Sequence, residues 1–295
     1  MKGMREIRNR IKAVTSTGQI THAMELVAAS KMKRAQHLAE EGRAYAILLM
    51  DLTETVLENL GEIVSQQTPM TGKKRLVIVF STDKGLCGSL NTNIFKALAD
   101  IKKDEADFIA IGMRAARFIA KTGKNLKAQF KVDDNVAFSQ TRKIAEFAMK
   151  LAKESGEYAS IEVLYPIFVN TLRQETAIVK LAPVDNLEAF IERLKKSYKM
   201  DSIERPNDDR CISFEPSAKE ILAELPRFYI SQALHHIALD AKASEHSARM
   251  VAMKNASENA ETIISELNLE YNKARQSAIT TEILELSSAA ASEIL

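Results

Sequence analysis

The sequence predicts a mixed chain: long helices at both ends that pair antiparallel, and a small α/β domain inserted between them. Three observations predict it. The stretch from Arg227 to Leu295 contains neither glycine nor proline, and as one helix at about 1.5 Å per residue it is on the order of 100 Å long. Its apolar and small residues step by alternating fours and threes through Leu239, Ala243, His246, Met250, Met253, Ser257, Ala260, Ile264, Leu267, Tyr271, Ala274 and Ala278, which is a coiled-coil seam. The middle has another period: β-branched runs alternate with amphipathic ones, and all ten glycines lie at or before Gly156.

Met1 to about Leu60 lacks proline and reads as helix. Ile7, Ile11, Val14 and Gly18 keep the four-three step, and Ile20, Met24, Val27 and Lys31 continue it on a shifted register, with Ala28, Ala29 and Ser30 keeping the surface narrow. This is the small-residue partner that the thin C-terminal seam requires. A homodimeric coiled coil is the generic alternative, but two unequal helices flanking a compact insert favour pairing within one chain. Gly18 and Gly42 each weaken the helix by about 1 kcal/mol relative to Ala, so bending is expected there.

Thr68-Pro69 and Thr71-Gly72 mark the first boundary. Strands are expected over 75–80, 107–112, 126–132, 160–165 and 176–181, the last as an edge or hairpin strand, and helices over 91–103, 114–122 and 141–153. Alternation of this kind argues a mostly parallel sheet. The polar stretch 198–216 is an exposed connection or an irregular hairpin, helix resumes near Ser217, and Pro226 kinks or restarts it. The domains are therefore 1–66, 73–197, the connection 198–216, and 217–295 pairing with the first.

Composition narrows the function. Forty-one basic residues against 39 acidic give +2 over 295 residues, so nucleic-acid binding by bulk charge is not indicated. No apolar run approaches the roughly 20 residues of a membrane span, and the charged segment Met1 to Lys12 lacks the core of a secretion signal. Cys87 and Cys211 are far apart, without CxxC, which indicates neither a disulfide framework nor a zinc site and fits a reducing compartment.

Four stretches carry candidate chemistry. The loop Ser81-Thr82-Asp83-Lys84-Gly85-Leu86-Cys87-Gly88-Ser89-Leu90-Asn91 lies between a strand and a helix, where phosphate loops sit. It lacks GxGxxG and GxxxxGK[ST], so a structural turn, with Ser89 or Asn91 capping the helix, is the stronger reading. Cys87 as a nucleophile has one nearby cation, Lys84, and a buried thiol explains it better. His235, His236, Asp240 and His246 have partial metal-ligand spacing, but seam or surface positions account for them more simply. The basic residues Lys2, Arg5, Arg8, Arg10, Lys12, Lys31, Lys33 and Arg34 suit phosphate or acidic loops of a protein, with a solvated face as the plainer alternative. No catalytic triad, carboxylate pair or metal cluster is evident, so the residues describe a mechanical or interaction part and not an enzyme.

At this point a resemblance becomes specific. Met4-Arg5-Glu6-Ile7-Arg8-Asn9-Arg10-Ile11 with Gln19-Ile20-Thr21-His22-Ala23-Met24-Glu25-Leu26-Val27-Ala28-Ala29-Ser30-Lys31-Met32 resembles the N-terminus of the gamma subunit of rotary ATP synthase. The loop 81–91 resembles that family's internal signature. Ser244-Glu245-His246-Ser247-Ala248-Arg249-Met250-Val251-Ala252-Met253-Lys254-Asn255-Ala256 and Tyr271-Asn272-Lys273-Ala274-Arg275-Gln276-Ser277-Ala278-Ile279-Thr280-Thr281-Glu282-Ile283 resemble its C-terminal motifs. The matches fall at both ends and the middle, in the family's order.

The resemblance implies an antiparallel coiled coil with an inserted small Rossmann-like α/β domain. It also implies a non-catalytic central-stalk role that couples ion flow to conformational cycling of the catalytic beta subunits. The implied partners are the hexamer of alpha and beta subunits, the epsilon subunit and the ring of c subunits, with one copy per complex, no nucleic acid and no cofactor. The implied place is peripheral, on the cytoplasmic face of a bacterial membrane, since no transit segment precedes Met1. Met24 matches a position near the acidic lever of the beta subunit. Arg275 and Gln276 match residues that hydrogen-bond a beta-subunit loop, and Thr280, Glu282 and Glu285 match nearby coupling positions. The alternative from residues alone is a homodimeric coiled-coil scaffold with a nucleotide-binding α/β domain. The weakly polar tip Ser287 to Leu295 would suit a low-friction bearing, and Cys211, standing alone, suggests no redox switch.

Overall fold

The computed structural model describes residues 2–60, 70, 72–183, 215 and 217–292. Cys211, most of the connection 198–216, the Thr68-Pro69 boundary and the side chains of the terminal tip lie outside the described residues. The elements are α1 (Lys2–Leu60), β1 (Lys74–Phe80), α2 (Leu90–Ala99), β2 (Ala106–Ile111), α3 (Met113–Lys121), β3 (Asn125–Phe130), α4 (Phe138–Ser155), β4 (Tyr158–Phe168), β5 (Gln174–Ala182) and α5 (Ala218–Ser292). They fall into two compact units, one made of 1–29 with 249–295, the other of 30–248.

In the first unit the helix ends pair along the expected C-terminal seam. Met253, Ala260 and Leu267, one heptad apart, are buried, and Met250, Ser257, Ile264, Tyr271, Ala274 and Ala278 between or beyond them are half-buried. Gly18 faces Ala260: a Cβ built on Gly18 would stand 3.3 Å from the Ala260 Cβ, and the Ser257 hydroxyl donates to Gly18 O at 3.4 Å. Gly18 lies as far before Ala29, where α1 leaves the unit, as Ala260 lies beyond Arg249, where α5 enters it. The pairing is antiparallel.

The expected shift of register in α1 does not occur. The covered face runs on without a break through Met4, Ile7, Ile11, Val14, Gly18, Thr21, Glu25 and Ala28. Ile20 and Val27 are 58% and 54% exposed, and Lys31 is exposed as well. The polar side chains of Thr21 and Glu25 hide the true seam from an apolar count. Thr21 Oγ1 is bonded to Gly18 O at 3.0 Å, and Glu25 takes His22 Nδ1 at 3.3 Å. Helix α1 is continuous through Gly18 and Gly42.

The second unit is built on a five-stranded sheet of order β3-β2-β1-β4-β5. Pairs β1–β2, β1–β4 and β2–β3 are parallel, and β4–β5 is antiparallel. Strands β1 and β2 read as apolar runs because both faces are covered. Leu76, Ile78 and Phe80 meet α4 and the α5 residues Ile230, Leu234, Ile237 and Ala238 on one face. Val77 and Val79 meet Ile94 and Leu98 of α2 and Ile119 of α3 on the other. Strand β4 is longer than expected and passes through Pro166, which its antiparallel neighbour accommodates opposite Thr176. Helix α5 neither stops nor restarts at Pro226. It starts instead at a serine N-cap: Ser217 Oγ accepts from Glu220 N at 3.3 Å and donates to the Glu220 carboxylate at 3.2 Å.

Candidate functional site

In an open parallel sheet the ligand crevice forms at the carboxyl ends of the strands where the strand order reverses. Here β1 is followed by β2 and β3 on one side and flanked by β4 on the other, so the loop 81–91 lies at that switch point. The polar side chains of Ser81, Thr82, Asp83 and Asn91 are spent within the protein, while Lys84 and Ser89 are exposed. Thr82 Oγ1 donates to Lys84 O at 2.6 Å and accepts from Asn91 Nδ2 at 2.7 Å. Asp83 Oδ1 and Ser81 Oγ accept from the N–H groups of Met113 and Ala115 at 3.0 and 2.8 Å, and Thr82 O accepts from Arg114 N–H at 3.2 Å, so the loop caps the first three amides of α3. The expected cap by Ser89 is not made, and Asn91 instead turns back to Thr82 and to the buried Cys87 sulfur at 3.2 Å. Gly112, at φ 95°, is required because a Cβ there would lie 2.3 Å from Ser81 O.

The crevice is filled by α5. Ala238, Ala241, Lys242 and Glu245 close over Phe80, Ile111 and Pro166, leaving a cavity of about 20 Å³, room for roughly one water and no nucleotide. The start of the loop, Ser81 to Asp83, is a structural turn beneath α5, while Lys84, Leu86, Gly88 and Ser89 are exposed.

The histidines and Asp240 do not converge on a metal. His235 Nδ1 meets Thr141 Oγ1 at 3.3 Å and its ring lies edge-on to Phe138. Asp240 Oδ1 accepts the Phe168 N–H at 3.3 Å. Burial pushes Asp240 up to about 7, the Phe168 bond only partly opposing it, and burial with the neighbouring His235 pushes His236 down to about 4. Farther along the same face of α5, Ser244 Oγ donates to Pro166 O and Ser247 Oγ to Thr171 O at 2.9 and 2.7 Å, fastening the helix to the β4–β5 hairpin. His246 Nε2 lies 3.4 Å from Asp134 Oδ1. Of the basic N-terminal residues, Lys31 reaches Asp134 at 2.7 Å, while Arg5, Arg8, Arg10, Lys12, Lys33 and Arg34 are exposed.

What the first unit offers is an interaction surface. The apolar residues read as a second register of α1, Ile20, Met24 and Val27, form an outward stripe, with Met24 half-buried. On α5, Ile279, Ile283 and Leu284 are 48%, 60% and 63% exposed, among Arg275, Gln276, Thr280 and Glu282, all exposed. The Thr280 hydroxyl bonds Gln276 O at 3.0 Å, leaving the Gln276 side chain outward. The Glu285 side chain lies outside the described residues. Apolar side chains repeated along an exposed helix face mark a protein-contact surface. Two apolar registers on one helix could have signalled it: one face pairs inside the chain and the other is largely exposed.

These features define a class: a paired-helix shaft with a sheet domain whose ligand crevice is closed by its own helix. Comparison with known proteins agrees. The family model described as ATP synthase matches residues 3–292. The gamma chain of ATP synthase from Opitutus terrae is 42% identical over 294 residues, covering 98% of each chain. That from Methylacidiphilum infernorum is 38% identical over 295 residues, also covering 98% of each. Among solved structures, the central stalk and c-ring of the Tetrahymena thermophila mitochondrial ATP synthase matches with TM-score 0.60 and 26% identity, over 81% of this chain and 99% of that one. A chain of the Euglena gracilis mitochondrial enzyme shares the fold, with TM-score 0.66 and 17% identity over 99% and 94%. The chain belongs to the ATP synthase gamma family. It is a central-stalk subunit.

Proposed function

We propose that this chain is the rotor shaft of a bacterial ATP synthase, one copy within a hexamer of alpha and beta subunits, with its α/β domain against an epsilon subunit and a ring of c subunits at the cytoplasmic face of the membrane. No helix among the described residues is long and apolar enough to cross a bilayer, which suits a peripheral subunit. The observation that carries the reading is the outward apolar stripe on each helix of the thin antiparallel pair, together with a sheet crevice closed to ligands.

Such a shaft works by differential affinity. Each orientation presents a different face to each beta subunit, and the difference in contact free energy between open and closed beta conformations is the coupling energy. Met24 sits beside the beta lever, and Arg275, Gln276, Thr280, Glu282 and Glu285 contact beta loops. A small-residue seam keeps the pair slender, and its exposed outer flanks read the surrounding sleeve.

The test is co-expression. The chain alone is expected to turn over no nucleotide, whereas with alpha and beta subunits it is expected to purify as one copy per hexamer with ATPase activity. A stable homodimer that ignores the hexamer, or nucleotide turnover by the chain alone, would overturn the proposal.

A further inference from the structure

Asp134, in the loop between β3 and α4, gathers basic side chains from both long helices. Lys31 Nζ of α1 lies 2.7 Å from Oδ2, and Lys242 Nζ and His246 Nε2 of α5 lie 3.5 and 3.4 Å from Oδ1. Lys242 is also held by Glu245 at 3.2 Å. The α5 members are nearly buried, Lys242 with 14%, Glu245 with 9% and His246 with 3% of the side chain exposed, whereas Asp134 and Lys31 retain 39% and 45%. Burial alone would raise the Asp134 pKa, but the hydrogen bond from Lys31 and the charges of Lys242, His246 and Lys31 outweigh it and hold it at about 2. The carboxylate is therefore ionised throughout the working range.

The apolar contacts of this unit resist separation but are non-directional. Close-packed apolar side chains resist displacement only through their shape, and α5 is also tied by Ser244, Ser247 and Asp240. A carboxylate bonded by both Lys31 of α1 and Lys242 of α5 adds a directional tie that takes in α1 as well. Lys31, Lys242 and His246 come from two elements separated by the whole α/β domain in sequence, and Asp134 lies within 3.5 Å of all three.

We propose that Asp134 is a positioning residue of the rotor, an ionic key that fixes α1 and α5 to the α/β domain so that torsion imposed on that domain is carried into both helices. The inference rests on the rotor reading above. Because α1 and α5 are each one unbroken helix, a joint loosened at this point lets the sheet domain turn through part of each step without driving them. Hydrolysis, which needs no load on the sheet domain, continues.

The experiment uses the assembled complex in vesicles, comparing ATP-driven ion pumping with ATP hydrolysis for Asp134→Asn, Asp134→Glu, Lys31→Met and the double variant Asp134→Asn/Lys31→Met. Asp134→Asn is expected to lower the ratio of pumping to hydrolysis by roughly two- to five-fold with hydrolysis largely retained. Asp134→Glu is expected to restore the ratio, and Lys31→Met to add little to Asp134→Asn, as partners in one interaction should. Amide exchange over 31–36 and 131–137 is expected to accelerate by roughly tenfold in the Asn variant. An unchanged ratio, equal loss of pumping and hydrolysis, or independent effects of the two substitutions would overturn the key. Should the Asn variant not assemble, Lys31→Met, at a half-exposed side chain, carries the same test. Failure of the unsubstituted complex to pump would instead overturn the rotor reading.

Discussion

The close approach of Gly18 to Ala260 in the helix pair yields a prediction with a worked magnitude. A Cβ at Gly18 would sit 3.3 Å from the Ala260 Cβ, a few tenths of an ångström inside the ordinary carbon contact of roughly 3.5–4.0 Å. Gly18→Ala therefore sets two terms of similar size against each other. Helix propensity gains about 1 kcal/mol and crowding takes back a comparable amount, so the net is expected within about 1 kcal/mol of zero. Gly18→Val places two more methyl groups at the same spot. Overpacking of about 1–3 kcal/mol then exceeds a propensity gain of roughly 0.5 kcal/mol, and a net loss of about 1–2 kcal/mol is expected. Adding Ala260→Gly to Gly18→Val removes the facing methyl and should recover most of the packing loss, although Ala260→Gly alone weakens α5 by about 1 kcal/mol. Because the chain has two units, a single melting curve would blend them. Amide exchange over 7–28 and 250–271 in the full chain reads the pair directly. Protection of the Gly18→Val variant equal to that of the parent, or strictly additive effects with Ala260→Gly, would refute the close approach.

Other consequences follow from the same geometry. Asp240 has a folded pKa of about 7, above its ordinary 3.8, so its contribution is fully present below about pH 4 and is lost as pH rises through about 7. Asp240→Asn, which keeps a carbonyl for the Phe168 N–H, should flatten this fall by up to a few kcal/mol at pH 8; identical pH slopes in thermal melts of parent and variant would contradict it. Gly112→Ala forces backbone against Ser81 at a positive φ and should cost at least about 3 kcal/mol, seen as loss of cooperative unfolding of the sheet domain; a folded variant of parental stability would count against the strained turn. Met24→Lys, adding a charge beside the acidic lever proposed above, should reduce ion pumping more than ATP hydrolysis in the assembled complex, and equal losses would sink that role.

Much of this molecule was written in one dimension. The α5 seam was legible because heptad spacing is local: burial at Met253, Ala260 and Leu267 follows from residues seven apart on one helix, whatever lies opposite. The buried strands β1 and β2 were legible for the same reason, since a β-branched run covered on both faces needs no knowledge of its neighbours. The motifs at both ends and in the loop 81–91 identified the family. Three things waited for the tertiary structure. In α1 the seam passes through Thr21 and Glu25 while Ile20 and Val27 face outward, and a helix with two apolar stripes does not reveal which is covered until its partner's position is known. The loop 81–91 has the placement of a phosphate site, and only the packing of Ala238, Ala241, Lys242 and Glu245 over it decides that the crevice is closed. Asp134 is an unremarked loop residue in the sequence, and its three basic neighbours come from positions 31, 242 and 246. Periodicity reports which face of an element is apolar; which face is covered, and which distant charges meet, is decided only when the chain closes on itself.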